Sequence, residues 1–158
     1  VARIYISYRN LLGGVKMLKK IPDILSPELL KVLMEMGHSD EIVIADGNFP
    51  SAAMAKRLIR LDGHGVDKIL EAILELMPLD TYVPAPVALM EVTPGDTYKP
   101  IIWDDYKRII MNKEGIHQLE FVERFAFYER AKKAYAIVAT GEQALYANII
   151  LKKGVVKH

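Results

Sequence analysis

Histidine, aspartate, asparagine and tyrosine carry the proton chemistry available to this chain, and one stretch gathers them densely. Met36-Gly-His-Ser-Asp-Glu-Ile-Val-Ile-Ala-Asp-Gly-Asn-Phe-Pro50 puts His38 just before an apolar run, Glu41 to Ala45, and Asp46 and Asn48 just after it. The run has the length and composition of a buried strand. Open α/β sheets take ligands in the crevice beyond the carboxyl ends of their strands. Asp46 and Asn48 are therefore candidate ligand-binding residues, and His38 is the candidate proton donor. His38 also follows the end of a predicted helix, where partial negative charge favours the protonated imidazole.

Other chemistries lack their residues. The chain has no cysteine, so it has no disulfide, no thiolate nucleophile and no Cys-ligated zinc. Its four histidines, His38, His64, His117 and His158, are scattered without the spacing of a metal motif, and no metal site is expected. Neither a G-x-x-x-x-G-K-[ST] nor a G-x-G-x-x-G loop occurs, so no nucleotide cofactor is expected; no G-x-S-x-G elbow presents a serine nucleophile. A net charge of +1 from 21 basic and 20 acidic residues gives no field to gather nucleic acid. No apolar run approaches the ~20 residues of a membrane span. The expectation is a soluble, unexported, cytoplasmic protein.

The elements that must position these residues alternate along the chain. At 158 residues, 51% of them hydrophobic, there is material for one domain with a proper core. Ser26-Pro27-Glu28 opens a helix with a side-chain cap, proline at the first turn and an acid at the positive end of the dipole. Leu29, Leu30, Leu33, Met34 and Met36 supply its apolar face, and Gly37 is expected at the left-handed stop. Further strands are predicted at Leu58 to Leu61, Val87 to Val92, Tyr135 to Thr140 and Ile149 to Leu151. Helices are predicted at Val66 to Met77, at Trp103 to Met111 and from about Phe125, with Met111 to Gln118 a surface loop. Thr93-Pro94-Gly95-Asp96 is turn chemistry. The pattern is that of an α/β fold with a central sheet. Residues 1–16 read as an extension ahead of a domain spanning 17–158, with Met17 a candidate start.

The chain also resembles the family of fucose mutarotases and ribose pyranases. The residues that carry the resemblance are Leu25-Ser-Pro-Glu-Leu-Leu30, Met36 to Ile42, Ala45-Asp-Gly-Asn-Phe-Pro50, Pro78-Leu-Asp-Thr-Tyr82, Arg124-Phe-Ala-Phe-Tyr-Glu-Arg-Ala131, Thr140-Gly-Glu142 and Tyr146-Ala-Asn148, in order along nearly the whole chain. The resemblance implies a three-layer sandwich with a central mixed sheet. It implies an isomerase that interconverts the α and β anomers of a free sugar, L-fucose by preference, without cofactor or metal.

By position, the resemblance makes His38 the proton donor and Asp80 and Tyr128 the further catalytic groups. Asp46, Tyr146 and Asn148 become sugar ligands. Arg124 falls where ribose pyranases carry a histidine, which places the chain on the fucose side, and Met90 falls at a rim position able to meet the C6 methyl of a deoxy sugar. Ribose pyranase remains the alternative within the enzyme class, and a non-catalytic sugar-binding module the alternative outside it. Relatives also imply a homo-oligomer, a decamer built from pentameric rings, with Tyr128 or the last turn meeting a neighbouring subunit's pocket.

Overall fold

The computed structural model describes residues 17–116 and 118–158. The expected extension at 1–16, and His117, lie outside the described residues. Eleven elements follow one another among those described: α1 Pro27–Glu35, β1 Glu41–Ala45, α2 Ser51–Met54, β2 Leu58–Leu61, α3 Val66–Leu74, β3 Val87–Met90, α4 Ile102–Glu114, β4 Glu120–Val122, α5 Arg124–Lys133, β5 Ala136–Thr140 and β6 Ile149–Lys152.

The strands form one sheet in the order β2-β5-β1-β6-β3-β4. Neighbouring pairs are parallel except on both sides of β6, which runs antiparallel to β1 and to β3. Five strands therefore point one way, and the reversed strand sits in the middle. Side-chain alternation sorts the core into two layers. Ile42, Ile44, Ala136, Val138, Val87, Leu89, Ile149 and Leu151 pack with residues of α1, α3 and α4. Val43, Ala45, Ile137, Ala88, Met90 and Ile150 face Phe49, Phe127, Ala131 and Ala134 on the other side. The three-layer arrangement with a central mixed sheet is as expected.

Local details differ from expectation where tertiary packing overrides the local signal. Helix α1 is capped as predicted, with Ser26 Oγ accepting from the Leu29 amide at 3.2 Å. Its inward face, however, is Leu29, Val32 and Leu33, while Met34 is 85% exposed. The helix ends in an extended Met36, and the left-handed residue of the turn is Ser39, φ 71°, in place of Gly37. Helix α4 runs on through Met111 to Glu114, where Gly115 at φ 66° stops it, so the predicted loop is half helix. Strand β4, absent from the sequence reading, pairs in parallel with β3 at the sheet edge.

Candidate active site

Reversal of β6 brings three strand ends to one rim: the carboxyl ends of β1 and β3, and between them the amino end of β6. Asp46 follows β1, Met90 ends β3 and Asn148 precedes β6. They line a cavity of about 230 Å³ together with Asn48, Phe49, Thr93, Asp96, Arg124, Tyr128, Leu145 and Tyr146. Of the sequence-predicted site residues, Asp46, Met90, Arg124, Tyr128, Tyr146 and Asn148 thus meet in one place in a single chain. Tyr128 and the last turn meet their own chain's pocket.

The polar floor is built by backbone. Asn148 Oδ1 accepts the Asp46 amide at 2.8 Å, and Asp46 Oδ1 accepts the Asn48 amide at 3.0 Å. The side chains of Asp46 and Asn148 are each 5% exposed. Burial pushes the Asp46 carboxyl above its ordinary range; hydrogen bonds from the amides of Asn48, Ala147 and Phe49 oppose that rise. Thr140 Oγ1 donates to the Ala45 carbonyl at 2.7 Å, and the Glu142 carbonyl accepts the Gly47 amide at 2.9 Å, so the Thr140-Gly-Glu142 segment holds the Asp46 turn from the side.

The walls are aromatic and cationic. Phe49 meets Tyr128 edge to face, ring centroids 5.5 Å apart, and Phe127 at 6.0 Å. Arg124 Nε donates to Tyr128 Oη at 3.3 Å from one turn earlier on α5. The acids nearest Arg124 in the sequence are engaged elsewhere: Glu123 caps α5, and Glu120 pairs with Arg130. Arg124 is left beside the pocket mouth, over the rings of Phe125 and Tyr128.

The last turn is pinned from beneath by α4, whose Trp103 and Tyr106, three residues apart, share a face. Trp103 Nε1 donates to the Tyr146 carbonyl at 2.8 Å and Tyr106 Oη donates to the Ala147 carbonyl at 2.8 Å. Burial pushes the Tyr106 phenol well above its ordinary value, so it stays a donor. Tyr146 itself sits in the left-handed region, φ 56°.

His38 and Asp80 are not in this cavity. They stand at the opposite rim, before β1 begins and beside the carboxyl end of β6. Strands of this length span on the order of 15 Å at about 3.3 Å per residue, which is too far for one sugar ring to touch both rims. At that far rim His38 Nε2 lies 3.1 Å from Asp80 Oδ1, which also accepts the Tyr82 amide at 2.9 Å. The His38 ring leans on Tyr82, centroids 5.4 Å apart. Asp80 is 1% exposed and its Oδ2 has no hydrogen-bond partner. Burial pushes its carboxyl up, but the Tyr82 amide and the His38 ring outweigh that and hold it below the ordinary carboxylate range. The segment crosses β6's extension so closely that a Cβ on Gly154 would lie 2.3 Å from the Leu79 carbonyl oxygen.

Phe49, Thr93, Asp96 and Leu145 line the cavity and were not among the expected site residues. Asp96 had a signal. It lies just past the predicted strand Val87 to Val92, the same placement that singled out Asp46, but in a sequence that read as turn chemistry.

Residues 19–156 match the model of the RbsD / FucU transport protein family. The human protein named fucose mutarotase is 51% identical over 144 residues, covering 87% of this chain and 94% of that protein. The crystal structure of the fucose mutarotase in complex with L-fucose from Streptococcus pneumoniae superimposes with a TM-score of 0.85 at 56% identity, over 89% of this chain and all of that one. Bacillus subtilis RbsD complexed with D-ribose is further off, with a TM-score of 0.69 at 25% identity over 84% of this chain and 95% of that one.

Proposed function

The chain belongs to the RbsD / FucU transport protein family, and from that premise we propose that it is an L-fucose mutarotase, interconverting the α and β anomers of the free sugar in the cytoplasm. The observation that carries the reading is its 56% identity to a protein crystallised with L-fucose, over that protein's full length. Arg124 supports fucose over ribose, as does the lower identity to the ribose complex.

Mutarotation needs the ring oxygen to gain a proton while the anomeric hydroxyl loses one. The ring opens to the aldehyde, C1 rotates, and closure reverses both transfers. Two positioned acid/base groups suffice, each contributing roughly 10²–10⁴-fold. In this reading Asp46 accepts sugar hydroxyls, Asn148 and Tyr146 complete the ligand set, and Arg124 and Tyr128 close the mouth. Met90 and Phe49 offer the C6 methyl an apolar wall.

Tyr128 is one proton-transfer group, and His38 is the other. Because the ionised Asp80 carboxylate can only accept, Nε2 is the nitrogen that donates to its Oδ1, and exchange at His38 falls on Nδ1. Its distance from the pocket of its own chain supports a homo-oligomer in which His38 and Asp80 of one copy complete the pocket of another. A decamer built from pentameric rings is the assembly we assign.

The test is saturation-transfer proton NMR at equilibrium, irradiating one anomer of L-fucose and observing the other, then repeating the measurement with D-ribose. Protein-dependent exchange stronger with fucose is the expected result. Exchange with ribose alone would move the chain to the pyranase branch, and binding without exchange to either sugar would make it a sugar-binding module.

A further inference from the structure

The pocket holds a carboxylate, Asp96, that the proposed reaction leaves without a task. Asp96 stands on the loop after β3, opposite the last turn. The Tyr146 hydroxyl donates to Asp96 Oδ2 at 2.6 Å and accepts the Thr93 amide at 3.3 Å. The other carboxylate oxygen of Asp96 accepts the Tyr98 amide at 2.9 Å. The Tyr98 ring stacks on Tyr146, centroids 6.0 Å apart and planes 30° from parallel. At the other end of the residue, the Trp103 indole fixes the Tyr146 carbonyl, and the backbone is held left-handed, a conformation costly for a bulky side chain. Tyr146 is therefore fixed at its backbone, along its ring and at its hydroxyl.

A phenol has one proton to give and two positions at which to accept. Here the proton goes to Asp96 and one accepting position goes to Thr93. What remains is a single accepting position on a hydroxyl that lines the cavity. An ionised carboxylate can only accept, so it fixes this polarity; the Tyr146 hydroxyl and Tyr98 amide hold Asp96 below the ordinary carboxylate range.

We propose that Asp96 is a positioning residue that sets specificity: by accepting the hydrogen bond of the Tyr146 hydroxyl it makes Tyr146 an obligate hydrogen-bond acceptor toward the ligand, so that the pocket demands a donating hydroxyl at one position of the sugar ring. The inference rests on the assignment of a free monosaccharide to this cavity. It extends that assignment to a rule about the ligand, since a group that only accepts is refused at that position.

The ligand series that tests this is L-fucose and its three analogues in which fluorine replaces the hydroxyl at C2, C3 or C4, because fluorine does not donate. Affinities are measured by calorimetry for the wild type, Asp96→Asn and Tyr146→Phe. In Asp96→Asn the amide oxygen keeps the Tyr98 amide, so the NH₂ faces Tyr146 and donates, releasing the phenol proton toward the ligand. At one ring position the wild type should bind the fluorinated sugar about tenfold more weakly than fucose, a typical loss for one hydrogen bond. That penalty should shrink to within about threefold in both variants, whereas penalties at positions read by Asp46 persist. A purely structural Asp96 would weaken all four ligands together and leave the ratios unchanged, and that result overturns the inference. Failure of wild-type protein to bind L-fucose at all would remove the underlying sugar site, and is seen before any variant is compared.

Discussion

Asp46 and Asp80 are both buried carboxylates, and they titrate in opposite directions. Asp80 has the Tyr82 amide and the His38 ring on one oxygen, and these outweigh burial. A group whose folded pKa lies below its unfolded value of about 3.9 adds stability above that value and loses it as pH falls through the folded one. Asp46 is raised by burial against three amides. Its contribution favours folding in acid and is lost as pH rises through its folded pKa, so at neutral pH the charge costs stability. Affinity for L-fucose should accordingly begin to fall on acidification at a higher pH than an ordinary aspartate would give. Asp46→Asn should bind weakly with that acid limb gone, as calorimetry across pH 4–7 would show. That Asp46 lies in a pocket was legible from its place after β1, and that Asn148 joins it from the family resemblance. The opposite signs were not, because they depend on how strongly burial acts on each carboxylate and on the His38 ring that only Asp80 meets.

At the scale of elements, α4 works as the shelf under the last turn. Tyr106 is fully buried and its hydroxyl holds the Ala147 carbonyl. Tyr106→Phe leaves that carbonyl without its donor and should cost about 1–2 kcal/mol in urea unfolding. Sugar affinity should drop with it, because Asn148 is the next residue. The helix was visible in the sequence at Trp103 to Met111, but not its length, since Met111 to Gln118 lacks an apolar face. Strand β4 has only three residues, mostly exposed. A strand so short offers no period to read, and its existence rests on pairing with β3. In α1 the helical signal was strong and the face was misjudged at Met34, because apolar residues lie on both sides of the stretch and only the sheet decides which side turns inward.

At the scale of the whole molecule, the His38–Asp80 pair and the cavity beside Asp46 lie at opposite ends of the same strands. His38 precedes β1 and Asp46 follows it, so the sequence already contained this separation in the extended run between them. An assembly that joins the two makes a sharp prediction. His38→Ala alone should lose about 10²-fold or more in exchange while L-fucose affinity changes only a few-fold. Asp46→Ala should lose binding. Co-expressed, the two should regain activity, because about a quarter of randomly mixed sites would pair an intact pocket with an intact histidine. Exchange in the mixture no greater than the sum of the separate variants would argue against shared sites.

The placement of β6 also governs how the protein comes into being. The last strand of the described chain occupies the centre of the sheet, between β1 and β3. Until it emerges from the ribosome, β2-β5-β1 and β3-β4 are separate ribbons, each with an open edge of buried-type residues such as Ile42, Ile44, Val87 and Leu89. Such edges invite pairing with other chains. Synthesis therefore holds a nascent chain with the middle of its sheet missing until β6 has been made, and β6 then seals the sheet and sets Asn148 beside Asp46 in the same event.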